Sequence, residues 1–323
     1  MGLRQSRPMH LIIPYAATVS PMGREALAAL SLPHLQTLLS QMVCTSRAHE
    51  AEGAAEPSLP HERVLAQALG WDQEQPMPWA AWTQAHQGHP NPLPQAWITP
   101  CHWQIGMDQV VMHDPAHLQL SDEESQALLQ AMQPFLQEDG LQVTWHSALR
   151  WHAQGEMLAD LPTASLDRVI GANVKHWMPD SAAARPLRRL QSEMQMLLYN
   201  HPVNDAREAR RQLTVNSFWL HGAGAWPSPA PESQDTPQLA DGLRAAALHG
   251  PVQAWQSAWQ QLDATVLAPA CQHLQATGQL RLSLCSEHAA HTYEALPASW
   301  QQRITRLFKK PSPAAALAAL ITP

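Results

Sequence analysis

His201-Pro-Val-Asn-Asp-Ala-Arg207, then Leu213-Thr-Val-Asn-Ser-Phe-Trp-Leu220 and Gly222-Ala-Gly224, is the stretch on which the fold turns. The run from Leu213 to Leu220 is the strongest buried-strand signal in the chain, and the glycines after it mark a sharp strand end. Before it, Arg185 to Tyr199 has the basic-then-apolar pattern of a helix leading directly into His201. Further upstream, Ser121-Asp-Glu-Glu124 is a capping box that opens a helix to about Glu138, closed by Gly140. Leu141-Gln-Val-Thr-Trp-His146 and Leu149-Arg-Trp-His152 alternate with period two and predict a hairpin. Ala96 to Thr99 and Gln109 to Met112 are strand-like.

Toward the ends, His10-Leu-Ile-Ile-Pro14 predicts a buried strand stopped by proline, followed by a helix from Arg24 to Met42 broken at Pro33. Residues 45–61 are polar and predict a loop, with a short helix from Pro60 to Leu69. The stretch from Gln73 to Pro94 predicts irregular chain with one brief helix, and the run from Pro227 to Pro237 a loop. Val252 to Leu274 predicts a helix, Leu280 to Cys285 a strand, and Ser299 to Phe308 a closing helix. Strands alternating with helices favour an α/β architecture with a mostly parallel central sheet.

Composition removes several function classes. The 323 residues suggest two domains or one with a large insertion, and 45 % hydrophobic residues exclude a wholly disordered chain. The net charge of −7 argues against nucleic acid as a partner. Cys44, Cys101, Cys271 and Cys285 form no CxxC pair, which favours a reducing, cytoplasmic setting. The apolar run from Ala314 to Ile321 is far short of the ~20 residues that span a bilayer. The 18 histidines acquire meaning as metal ligands only where their spacing supports it.

Three constellations bear chemistry. The first is His201, Asn204 and Arg207 with Asn216 and the Gly222–Gly224 turn, where Arg207 would grip a carboxylate or phosphate in bidentate fashion. The plainer interpretation is a tight turn whose arginine pairs with Asp205 or Glu208. The second is Cys285-Ser-Glu-His288 with His291: Glu287, His288 and His291 would hold a divalent cation. The plainer interpretation is a polar helix start. The third is the scatter of His102, Arg150, His152, Asp167 and Arg168, each of which taken singly is most often a surface group or a satisfied core polar. Trp145 and Trp151 suggest packing. GxGxxG, Walker, HExxH and GxSxG motifs are absent.

The middle of the chain, roughly 96–224, resembles the archaeal-type cofactor-independent phosphoglycerate mutases of the alkaline phosphatase superfamily. The resemblance rests on Thr99-Pro-Cys-His-Trp103, Leu120-Ser-Asp-Glu-Glu124, Leu149-Arg-Trp-His152, Leu161 to Asp167 with Gly171, and most specifically His201 to Arg207, Val215-Asn216 and Trp219 to Gly224. It implies an alkaline-phosphatase-like parallel sheet flanked by helices, with an inserted smaller α+β domain. The implied limits are 1–95 for the first part of the core, 96–205 for the insert and 206–323 for the rest. It also implies substrate contacts from Arg150, Arg168, His201, Asn204, Arg207 and Asn216.

The ends depart from that pattern. Such mutases use two manganese or zinc ions to activate a Ser or Thr that carries the phosphoryl group. The family's first strand ends in Asp-Gly, with the Asp a metal ligand. Here the strand ends in Pro14-Tyr15-Ala16, leaving Thr18 or Ser20 as nucleophile. The family's later Asp-His-Ser segment looks like Ser286-Glu-His288.

The leading expectation is therefore a mutase-like protein without two-metal phosphotransfer and without a cofactor. It would bind a phosphorylated or carboxylated small molecule, or a protein partner, in a regulatory or binding role. The alternative is an active manganese- or zinc-dependent mutase or phosphatase working through Thr18 or Ser20, with Glu287, His288 and His291 as ligands. A third reading is an interaction module built on the Trp- and Pro-rich stretches 71–97 and 226–237.

Overall fold

The apolar run ending at Ile13 forms β1 (Met9–Ile13), hydrogen-bonded in parallel on both sides, to β9 (Thr236–Leu239) and to β10 (Arg281–Cys285). Its near-continuous hydrophobicity is what a parallel strand with both faces covered requires. The computed structural model describes residues 8–18, 21–51, 56–71, 75–227, 230, 236–295 and 312–321. Ser20 and the expected helix over 299–308 lie outside the described residues. The chain divides into two units. One comprises Met1–Ala54, Leu59–Asp72 and Pro231–Pro323, the other Ala55–Ser58 and Gln73–Ala230.

In the first unit the sheet order is β2-β11-β10-β1-β9, with β2 spanning Met42–His49 and β11 Ala289–Ala295. The β10–β11 and β11–β2 pairings are antiparallel, so this sheet is mixed and not the mostly parallel one expected. The reason is local: only Ser286 to His288 separate β10 from β11, too short for the crossover that a parallel pair needs. Strand β2 replaces part of the loop expected over 45–61. It is an edge strand whose residues from Thr45 to His49 are all exposed, so it carries no hydrophobic alternation to betray it.

One face of this sheet packs Leu11, Ile13, Leu282 and Leu284 against α1 (Pro21–Ala29), α2 (Pro33–Gln41), α10 (Val252–Leu262) and α11 (Ala268–Thr277). The break at Pro33 falls where the sequence puts it. Between α10 and α11 a π turn (Asp263–Leu267) aims the buried Asp263 at the start of α2. Its carboxylate accepts from the amides of His34 (3.2 Å) and Leu35 (2.9 Å) and pairs with His34 Nδ1 at 2.9 Å. A distant carboxylate thus does the capping that the local Leu32 cannot. On the other face, α3 (Pro60–Ala68) sets Val64 and Leu65 against Ile12, Cys285 and Ala290.

The second unit holds a four-stranded, wholly antiparallel sheet, β6-β7-β3-β8. These strands are β3 (Gln95–Cys101), β6 (Gln142–Ser147), β7 (Arg150–Gln154) and β8 (Ser217–Gly224). The unit is wider than the expected 96–205, because β8 pairs with β3 and α4 (Trp79–His86) packs on both. Gly222 and Gly224 serve that packing: a Cβ at either would lie 3.1 Å from a side-chain carbon of Trp79 or Pro78. The glycines expected to admit a ligand admit a helix.

Ala96, Ile98, Trp151, Phe218 and Leu220 face α5 (Asp122–Glu138) and α7 (Arg185–Tyr199). The capping box is present in both directions, Ser121 and Glu124 each accepting the other's amide at 3.2 Å. Ser125, fully buried on α5, accepts from the indoles of Trp145 (3.2 Å) and Trp151 (2.9 Å), so both tryptophans pack as expected.

Helix α8 (Pro202–Ala209) delivers Arg207 into this core with none of its surface exposed. Nε donates to Leu213 O at 2.7 Å, Nη1 to Glu124 Oε2 at 2.6 Å, and Nη2 to Leu118 O. A buried charge stays only when it is paired and hydrogen-bonded, and here each of the three nitrogens donates to a different segment. Arg207→Met is expected to lower the unfolding free energy by about 3–5 kcal/mol, because two buried carbonyls lose their donor and Glu124 keeps only Arg210 and the Ser121 amide. Urea unfolding followed by tryptophan fluorescence measures this; a loss under about 1 kcal/mol contradicts it.

Candidate functional site

The residues that the resemblance names as substrate contacts are mostly fasteners. Asn204, almost fully buried, accepts from Val215 N at 2.9 Å and donates to Val215 O (2.7 Å) and Leu198 O (2.8 Å). Asn216 does the same for Trp103, accepting from its amide at 2.7 Å and donating to its carbonyl at 2.9 Å. Each amide imitates a neighbouring strand. His201 is the N-cap of α8, its Nδ1 accepting from Val203 N at 3.2 Å; burial lowers its pKa and keeps the ring in the accepting, neutral form. Arg168 is buried, donates to Ser58 O at 3.0 Å and lies 5.4 Å over the Trp177 ring. With Arg207 bound as described above, five of the six expected contacts hold the unit together.

Arg150 is the exception. It starts β7 on the sheet face turned away from α5 and α7, with its guanidinium 5.2 Å from the ring centroid of Trp97 on β3. Strand pairing assembles its surroundings: Trp97 stands opposite His152 on one side and His221 on the other. The rings of His152 and His146 lie 5.4 and 5.5 Å from Trp97. His221 Nε2 meets Thr99 Oγ1 at 3.1 Å. Arg150 itself is exposed, and among the described residues it forms no ion pair.

The electrostatics of this face fit a site for an anion. Burial, with the charge of Arg150 second, lowers the pKa of His221 to about 4 against the opposing pull of Asp167. Burial and His146 also lower the pKa of His152, whose Nε2 is engaged with Gln95 Oε1 at 2.7 Å. The result is one exposed cation over an indole, beside the His152 and His221 rings that burial keeps uncharged, with Asp167 in electrostatic range of His221. Sequence reasoning includes Arg150, His152 and Asp167 but misses Trp97, His146 and His221. Period-two alternation across the three strands places all of them on one face, and that is the signal that finds them.

The proposed catalytic and metal residues lie in the first unit. After β1 the chain turns through Pro14, Tyr15, Ala16 and Ala17, all buried, with Tyr15 in the left-handed region at φ 55°. The indoles of Trp255 and Trp259 donate to the carbonyls of Tyr15 (3.0 Å) and Ala16 (3.1 Å), and Ala16 N donates to Cys285 O at 2.7 Å. Where the resemblance implies a metal-binding carboxylate, there is a packed apolar turn. Thr18, half-buried, follows it.

Glu287, His288 and His291 do not converge. His288 Nδ1 pairs at 3.1 Å with Glu50, whose other oxygen accepts from Arg63 at 3.1 Å. His291 is buried, with its Nε2 3.0 Å from that of His49. Among the described residues no group of three His, Cys, Asp or Glu side chains is placed to hold a metal ion. These residues do not fit a two-metal centre. Cys285 is fully buried, and burial pushes its thiol well above the usual range, which removes it as a nucleophile.

The solved structures that resemble the chain include the following two. A cofactor-independent phosphoglycerate mutase from Thermoplasma acidophilum is 12 % identical, covers 98 % of this chain and 100 % of its own, and superposes with a TM-score of 0.34. The PH0037 protein from Pyrococcus horikoshii is 11 % identical over 90 % of this chain and 87 % of its own, with a TM-score of 0.43. Superpositions this loose transfer neither fold nor chemistry. No family model matches the sequence, and no curated protein does. Among the described residues no helix is long and apolar enough to cross a membrane.

His221 and His291 make stability depend on pH. Both have folded-state pKa values of about 4 against an ordinary 6.5, so on acidification the unfolded chain takes up protons that the folded chain refuses. Stability is full above about pH 6.5 and declines as pH falls toward 4. Urea midpoints at about pH 7 and pH 5 are expected to show the decline, and His291→Gln to reduce it. A decline of the same size in that variant contradicts the assignment.

Proposed function

We propose that the chain is a mutase-like binding protein that takes a small phosphorylated or carboxylated molecule at the exposed end of β7, on the sheet face turned away from α5 and α7, with Arg150 as the anion anchor. One observation carries this: the guanidinium lies over the Trp97 ring, 5.2 Å from its centroid, and among the described residues no carboxylate pairs with it. The cation–π contact holds the guanidinium beside the indole, and no described residue takes its N–H donors, which are left for oxygens of the ligand. Thr99 and the rings of His152 and His221 are already hydrogen-bonded within the sheet, so the ligand contact falls on Arg150 itself, and Asp167 near His221 is the one like charge an anion would meet there among the described residues.

The resemblance of the sequence to phosphoglycerate mutases supports the ligand class, since a phosphoglycerate carries both anionic groups. This reading assigns binding and no phosphotransfer. Its support is the apolar turn at Tyr15–Ala17 and the separate engagements of His288 and His291. No step through a metal is part of it.

The test is isothermal titration with 3-phosphoglycerate, inorganic phosphate and a hydroxycarboxylate such as glycerate. Arg150→Ala is expected to weaken 3-phosphoglycerate by at least about tenfold, since hydrogen bonds to charged groups are worth about 1.5–3 kcal/mol. Arg150→Lys, which keeps the charge but not the planar fork, is expected to fall between the two. Equal affinity in wild type and Arg150→Ala, or no binding of any of the three, overturns the reading.

A further inference from the structure

The α3 side of the five-stranded sheet changes character part-way along. Beneath the helix it is apolar, with Ile12, Cys285 and Ala290 against Val64 and Leu65. Toward the start of β1 the same face carries His10, Ser283 and Thr292 on three adjacent strands. His10 and Ser283 are buried, and the three side chains form a chain of hydrogen bonds: His10 Nε2 to Ser283 Oγ at 2.8 Å, then Ser283 Oγ to Thr292 Oγ1 at 2.7 Å. A sheet face packed under a helix is ordinarily apolar, because each buried polar group must find a partner. Here the change to polar residues coincides with a cavity of about 310 Å³, lined by His10, Thr45, Ser46, Gln67 and Thr292 together with the Arg281–Glu294 ion pair.

We propose that this cavity binds a small neutral polyol or monosaccharide through its hydroxyl groups. The lining supplies donors and acceptors side by side: three hydroxyls, a carboxamide, an imidazole, a guanidinium and a carboxylate. A hydroxylated ligand uses both kinds at once, since every hydroxyl donates one hydrogen bond and accepts others. Charge balance selects against the alternatives, as an anion meets Glu294 and a cation meets Arg281. Arg281 Nε and Nη2 both fall on Glu294 Oε1, at 2.9 and 2.8 Å, which leaves Oε2 for a ligand hydroxyl. The volume lies at the lower end of small-molecule sites, the size for one sugar ring or an open-chain polyol. The site lies in the other unit from Arg150 and stands independently of the anion site.

The experiment is titration of the full chain with D-ribose, D-glucose and glycerol, read by saturation-transfer NMR and calorimetry, with glycine and inorganic phosphate as charged comparators. At least one of the three hydroxylated probes is expected to bind with one-to-one stoichiometry. Ser46→Ala and Thr292→Val are each expected to weaken it about fivefold or more. Ser46 sits on the exposed edge strand, so its variant tests the site even if Thr292→Val disturbs the buried hydrogen-bond chain. The proposal is overturned if none of the three probes binds, if Ser46→Ala leaves affinity unchanged, or if glycine displaces the sugar.

Discussion

A guanidinium with no exposed surface has to be surrounded by acceptors, and the second unit is arranged to supply them to Arg207. Glu124 comes from the first turn of α5, Leu118 from the turn before it, and Leu213 from the segment between α8 and β8. Once Leu213 is fixed, Asn204 grips Val215 and Asn216 grips Trp103, so the entry of β8 beside β3 follows. That entry sets the register in which Cys101 faces Ser217 and Trp97 faces His221. A slip of one residue would turn His221 toward the hydrophobic core. The Arg207–Glu124 pair therefore acts at a distance on the opposite sheet face, where it fixes which side chains surround Arg150.

The two units treat polar groups in opposite ways. In the first, the turn after β1 is enclosed by Tyr15, Ala16 and Ala17, with two tryptophan indoles consuming its carbonyls. In the second, the sheet face bearing Trp97 and Arg150 keeps its cation without an ion pair among the described residues. Satisfying the carbonyls of Tyr15 and Ala16 and leaving the Arg150 guanidinium without a hydrogen bond among the described residues are both physical facts about hydrogen-bond satisfaction. Together they move the functional reading from the β1 turn to the sheet face.

Much of the local structure is legible in the residues because it is set by local chemistry. The capping box at Ser121, the break at Pro33 and the alternation from Leu141 to His152 each produce the element they predict. Strands β2 and β11 escape notice because their order comes from pairing with a partner and not from hydrophobic pattern. The cap of α2 is likewise invisible, since Asp263 lies far along the chain and reaches it only through a π turn. The site is harder still. Asn204, Asn216 and Arg207 have the residue types that would recognise a phosphate, and the same donors and acceptors serve equally to bind backbone. Only the folded chain shows which partners they have.

The central claim is that binding falls on the Arg150 face while the His201–Asn216 stretch and the Ser286–His291 stretch hold the structure. Hydrogen–deuterium exchange with and without saturating 3-phosphoglycerate tests it most directly. Slower exchange confined to the segments around Trp97, Arg150 and His221 is the result this account predicts. Protection that appears instead at Thr18 and His288, with the Arg150 face unchanged, would contradict it.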